Sequence, residues 1–162
     1  MIAIVNYGMG NLRSVSNALD RIGTRSFICN HPEQLKDCDR IILPGVGAFG
    51  DAMHRLREGN WIAPLTHEVM KKKKPFLGIC LGLQLLAETG EEHGTHQGLG
   101  WIRGTVQKIP EEKVDLRIRH IGCNEVIIRI CGSGLKSVLE EEECVYVVHS
   151  YVLHPEEQTV IK

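Results

Sequence analysis

The residues with the clearest chemical promise are Gly78-Ile79-Cys80-Leu81-Gly82-Leu83-Gln84. A thiol with a glycine two residues to either side suits a nucleophile held on a sharp strand-to-helix turn. Such a turn strains the backbone and crowds adjacent elements, and glycine removes the bulk that would collide. Where a helix begins, the partial positive charge of unpaired N–H groups favours a thiolate, so Cys80 is expected to be reactive. The free N–H of Leu81 would point to where a carbonyl oxygen becomes an oxyanion. The chemistry implied is nucleophilic attack on a carbonyl carbon. The plainer alternative is a buried cysteine whose glycines merely permit close strand–helix contact.

A second glycine-rich turn strengthens the first reading. Leu43-Pro44-Gly45-Val46-Gly47 leaves an earlier strand at the same carboxyl edge, where open α/β sheets bind ligands. This turn could place a second backbone N–H opposite Leu81 to complete an oxyanion hole. The alternative is an ordinary glycine loop.

Positioning these turns requires a particular scaffold. Ile2 to Asn6 is a β-branched apolar run followed by a glycine-bearing turn, and Leu12, Val15, Ala18, Leu19 and Ile22 then mark one face of a helix that Gly23 closes. Further strands are expected at Arg25 to Cys29, Arg40 to Leu43 and Phe76 to Cys80. Helical stretches are expected after Gly50, around Trp61, Leu65 and Val69, and through Leu81, Leu85 and Leu86. Strands alternating with helices predict an α/β fold: an open, mostly parallel, flavodoxin-like sheet with helices on both faces. The continuous apolar run Phe76 to Cys80 predicts a central strand. Trp101 to Ile109 and Leu116 to Ile130 alternate apolar and polar residues, as added antiparallel hairpins would, and Cys144 to Leu153 reads as a last strand.

Composition narrows the function. With 162 residues, 43% of them hydrophobic, the chain can bury a core as one domain, and a formal net charge of -1 supplies no field for nucleic acid or an anionic membrane. No apolar stretch approaches the roughly 20 residues of a spanning helix and no leader precedes the first strand, so a cytoplasmic protein is expected. The six cysteines, Cys29, Cys38, Cys80, Cys123, Cys131 and Cys144, contain no C-x-x-C pair, and Gly8-Met9-Gly10 lacks the later glycine and distal acid of a dinucleotide site. Neither metal nor cofactor is expected. The runs Lys71 to Lys74 and Glu140 to Glu143 read as solvated surface.

Five segments in order, Asn6 to Leu12, Leu43 to Gly50, Gly78 to Gln84, His120 to Asn124 and His149 to Tyr151, resemble the glutaminase subunits of imidazole glycerol phosphate synthases, which are class I glutamine amidotransferases. The resemblance covers essentially the whole chain, read as a single type 1 amidotransferase domain spanning 1–162. It implies that glutamine is hydrolysed through a thioester on Cys80. The ammonia would be channelled to a (β/α)8 barrel partner in histidine biosynthesis, forming a heterodimer. It also implies Val46, Gly47 and Leu81 as oxyanion groups. Substrate binding would fall to Gly45, Gln84, Glu92 and the backbone at Ser150 and Tyr151. A bland reading leaves Glu92 as one of a surface pair with Glu91.

The chain departs from the family in two places. Cys123 stands where tryptophan is usual, a loss of aromatic packing that bears on the partner contact. Family members also continue through further strands to a His-Pro-Glu segment carrying the general base and its orienting carboxylate, so the domain is expected to be C-terminally incomplete. His31-Pro32-Glu33 reads instead as a helix start, and His154-Pro155-Glu156 as a solvent turn; His120 and His149 belong to motifs with other roles. Without a base the rate falls by roughly 10² to 10⁴. Three alternatives follow: a catalytically impaired partner-binding homologue, an amidotransferase subunit serving surface-sugar biosynthesis, and a flavodoxin-like cysteine-elbow protein of redox or hydrolase type.

Overall fold

A computed structural model of the protein describes residues 1–109, 120–125 and 144–156. The expected α/β pattern is present from the first strand. β1 (Ile2–Val5), β2 (Ser26–Cys29), β3 (Arg40–Gly45) and β4 (Phe76–Cys80) form a fully parallel sheet in the order β2-β1-β3-β4. Side chains along β1 alternate between two apolar layers, as the two-residue period of a strand requires. Ile2 and Ile4 pack with Leu19, Leu12 and Val15 of helix α1 (Leu12–Arg21), whereas Ala3 and Val5 face the larger core with Phe49, Met53 and Leu56 of helix α2 (Phe49–Glu58). The sheet is therefore covered on both faces.

Local sequence explains the element ends. Asn11 caps α1 by accepting the Ser14 N–H at 3.3 Å, and Gly23, at φ 68°, lies just beyond its end. His31-Pro32-Glu33 opens a 3-10 helix (Pro32–Asp37), where Gln34 Oε1 accepts the N–H groups of Asn30 and His31. After helix α3 (Ile62–Thr66) comes a single π-helical turn (His67–Lys71), whose Glu68 is buried. Lys74 Nζ lies 2.7 Å from Glu68 Oε2 and donates to the Leu35 carbonyl at 2.7 Å. The lysine run is thus only partly solvated surface, because Lys74 ties this turn to the 3-10 helix.

Three expectations need correction. β4 is an edge strand of the described sheet, with Leu77 54 % and Ile79 36 % exposed, while β1 and β3 take the centre. An apolar run reports affinity for burial but does not name the strand that will cover it. The helix after Cys80 is a single turn, α4 (Leu81–Gln84), followed by strand β5 (Ala87–Gly90), although Leu85 and Leu86 are buried as expected. The last strand breaks at Ser150 into β9 (Cys144–His149) and β10 (Tyr151–Pro155), which join different sheets.

Strand β7 (Ile102–Lys108) lies in a second sheet, order β10-β7-β5-β6, with β6 being His96–Gln97. It pairs with β10 antiparallel but with β5 parallel. β8 (His120–Glu125) and β9 form the expected antiparallel pair, with His120 opposite His149. The remainder of the Leu116 to Ile130 segment, Cys131 and the Glu140 to Glu143 run lie outside the described residues. Leu85, Ala87 and Val106 belong to the same core as Val5 and Leu43, and the rings of Phe76 and Trp101 meet edge to face at 5.2 Å. Among the described residues no helix is long and apolar enough to cross a membrane.

Candidate active site

Cys80 closes β4 at φ 55° and ψ -117°, in the left-handed half of backbone space that residues with a side chain seldom occupy. The chain reverses there into α4, and the thiol is exposed. The flanking glycines are needed for space. A Cβ on Gly82 would stand 1.8 Å from the Leu43 carbonyl oxygen, and one on Gly78 would stand 2.6 Å from Leu83 Cα. Backbone meets backbone at both points, so neither clash can be relieved by a side-chain rotation.

β3 delivers the second turn to the same edge, with Gly45 paired to Cys80. Here a Cβ on Gly45 would meet Gly82 N at 2.7 Å, and Gly47 adopts φ 104°. The Val46 N–H is engaged: it donates to the Met9 carbonyl at 3.1 Å. Pro44, which has no N–H to give, pairs opposite Ile79 just before this turn. In this conformation the Val46 N–H, one of the three expected oxyanion donors, is therefore directed to the first turn.

A cleft of about 410 Å³ opens over the thiol, lined by Val46, Gly47, Cys80, Leu81, Gln84, Glu92, His149, Ser150 and Tyr151. Every site residue expected from the sequence is on this wall except Gly45, which lies buried beneath it. Gln84 is carried by α4 and donates its Nε2–H to the Tyr151 carbonyl at 3.1 Å, tying the elbow to β10. Glu92 is separated in role from exposed Glu91: its Oε2 accepts the Phe49 N–H at 2.9 Å, at the first turn of α2, where the N-terminal partial charge favours a carboxylate. The Ser150 carbonyl accepts the Ile109 N–H at 3.0 Å, which fixes the break between β9 and β10.

His149 is the imidazole of the cleft wall among the described residues, and its Nδ1 lies 3.2 Å from the Tyr151 carbonyl. A carbonyl only accepts, so this contact puts the proton on Nδ1. His154 is exposed on β10 opposite Thr105, and His31 stands at the 3-10 helix; neither lines the cleft. Cys29 and Cys38 are buried. Burial first, then the neighbouring Cys38, pushes the Cys29 thiol up to about 11, the behaviour of an inert core cysteine.

Two contributors escaped the sequence reading. Met9 acts through its carbonyl, and any residue offers a carbonyl, so no side-chain signal could have marked it. Tyr7, buried beside Gly45, belongs to the Asn6 to Leu12 segment, but nothing in the sequence says which way its ring points.

The model of the class-I glutamine amidotransferase family matches residues 3–162. The chain belongs to that family. Its similar relatives are more particular: it is 48% identical over 153 residues to the imidazole glycerol phosphate synthase subunit HisH of Sulfurimonas denitrificans, covering 93% of this chain and 72% of that one. It is 44% identical over 159 residues to the HisH subunit of Aquifex aeolicus, covering 98% and 74%. Among solved structures, a glutamine amidotransferase crystal structure matches with a TM-score of 0.67 at 19% identity, over 94% of this chain and 74% of that one. The structure of PurLQS from Thermotoga maritima matches with a TM-score of 0.69 at 18% identity, over 96% and 69%. At those identities the two structures speak for the fold.

Proposed function

We propose that this protein is the glutaminase subunit of an imidazole glycerol phosphate synthase. In this reading it hydrolyses glutamine to glutamate and ammonia and passes the ammonia to a (β/α)8 barrel synthase partner in histidine biosynthesis. The Cys80 thiolate attacks the side-chain carboxamide carbon, and the carbonyl electron pair moves to oxygen. Collapse of that intermediate expels ammonia, which leaves with the proton that the Cys80 thiol gave up on ionising, and gives a thioester. Water then attacks the thioester and releases glutamate. Glu92 and Gln84, with the backbone at Gly45, Ser150 and Tyr151, hold the amino acid end of the substrate. Val46, Gly47 and Leu81 offer N–H groups to the oxyanion. With the Val46 N–H on Met9, the Gly45–Val46 peptide has to rotate before the hole is complete.

The observation that carries this reading is the cleft itself. Residues from three of the five resembling segments, together with Glu92, surround one exposed, strained cysteine. The HisH relatives support the choice of synthase. The resemblance puts the general base and its carboxylate in the part of those relatives that this chain does not span. The test is ammonia release from glutamine with the barrel synthase present. Cys80→Ala is expected to abolish it, and equal rates for the variant and the unaltered chain would contradict the mechanism.

A further inference from the structure

Tyr7 is 6 % exposed, two residues past the end of β1, and its hydroxyl is buried without a hydrogen-bond partner. An unsatisfied buried hydroxyl costs about 1–3 kcal/mol, whereas phenylalanine would fill the same space without that cost. A group held at such expense gains a partner in some other conformation of its surroundings. Its location says which. The point where a Cβ on Gly45 would stand is 2.8 Å from Tyr7 Oη, 2.8 Å from Leu81 Cβ and 2.7 Å from Gly82 N. The hydroxyl therefore lies against the Gly45–Val46 peptide, under the cysteine elbow.

In the present conformation the N–H of that peptide is spent, since Val46 N–H donates to the Met9 carbonyl. A rotation about it releases the Val46 N–H to the cleft and redirects the Gly45 carbonyl. Glycine at 45 tolerates the change of ψ. We infer that Tyr7 is a positioning residue for this peptide, its O–H donating to the Gly45 carbonyl after the rotation and so holding the oxyanion donors in the cleft. One bond then satisfies two buried groups, which favours the rotated form. Burial, reinforced by the nearby Cys80, keeps the phenol protonated far into alkaline solution, so it remains a donor throughout.

The inference rests on the reading of Gly45 to Gly47 as the oxyanion turn, and its test separates the two. A glutamine-derived aldehyde adds reversibly to Cys80: the S–C bond forms, the carbonyl π pair becomes an alkoxide, and the thiol proton ends on that oxygen. The resulting hemithioacetal needs the oxyanion donors, whereas alkylation of the same thiol by iodoacetamide does not. In the full chain, Tyr7→Phe is expected to weaken the aldehyde about tenfold. It should leave the iodoacetamide rate at Cys80 unchanged and the thermal midpoint equal or higher. Equal aldehyde affinity in both proteins would overturn the inference, as would a parallel drop in alkylation or in the midpoint, which would mark a merely structural tyrosine. If the unaltered chain takes no aldehyde on Cys80, the reading of the site itself falls, and this inference with it.

Discussion

At Cys80 the backbone holds a non-glycine residue at φ 55°, a state that costs on the order of 1–3 kcal/mol and persists only where the surroundings enforce it. Gly82 is the enforcing neighbour. Gly82→Ala would drive a methyl group into the Leu43 carbonyl, so we expect a loss of about 1–3 kcal/mol in chemical denaturation and slower alkylation of Cys80. Unchanged stability would mean that the elbow is looser than described. Glu68 gives a second prediction. Burial opposes its charge, but hydrogen bonds from Lys74, Lys72 and His67 outweigh that and hold its carboxyl at about 2, below the ordinary 4.5. The folded state thus binds this proton less readily than the unfolded one. The stabilisation is complete above about pH 4.5 and is lost as pH falls from there towards 2. Its size is on the order of 2–3 kcal/mol, so Glu68→Gln should lower stability at neutral pH and flatten the acid limb of the stability profile. A variant with the unaltered acid limb would contradict the assignment.

Elements that make their own signals were legible in the sequence, and those that depend on distant partners were not. The helix α1, with its apolar stripe and trailing glycine, and β4, with its bounds at Phe76 and Cys80, follow from local pattern. The position of β4 in the sheet does not, because strand order is a tertiary choice. Among the described residues its outer edge is unpaired and Leu77 and Ile79 are exposed, with Leu83 of α4 46 % exposed. A long apolar edge is a template for pairing with another chain. The isolated protein is therefore expected to self-associate, and Leu77→Lys should shift sedimentation towards monomer while changing stability by about 0.5 kcal/mol or less. Sedimentation indistinguishable between the two would refute this. The cleft shows the same division. Cys80 and the two glycine turns were readable as types at a spacing, and Gln84 only through the family resemblance. The bond from Glu92 to the Phe49 N–H, which turns a doubtful surface acid into a wall of the cleft, spans 43 positions and has no local trace.

On the scale of the whole molecule, one core serves both sheets, since Leu43, Phe49, Leu85 and Val106 are all buried within it. Trp61 lies within that core and Trp101 packs against it, so tryptophan fluorescence and far-ultraviolet circular dichroism should report a single coincident transition in urea. Two separated transitions would show that the sheets are independent. The central claim concerns what the shared core presents at its edge: the accessible Cys80 thiol in a cleft proposed to take glutamine. The direct measurement is mass-spectrometric mapping after treatment with a chloroketone analogue of glutamine. The account predicts a single adduct at Cys80 that free glutamine suppresses and that buried Cys29 and Cys38 do not share. Labelling that glutamine leaves unaffected, or that falls equally on the core cysteines, would contradict it.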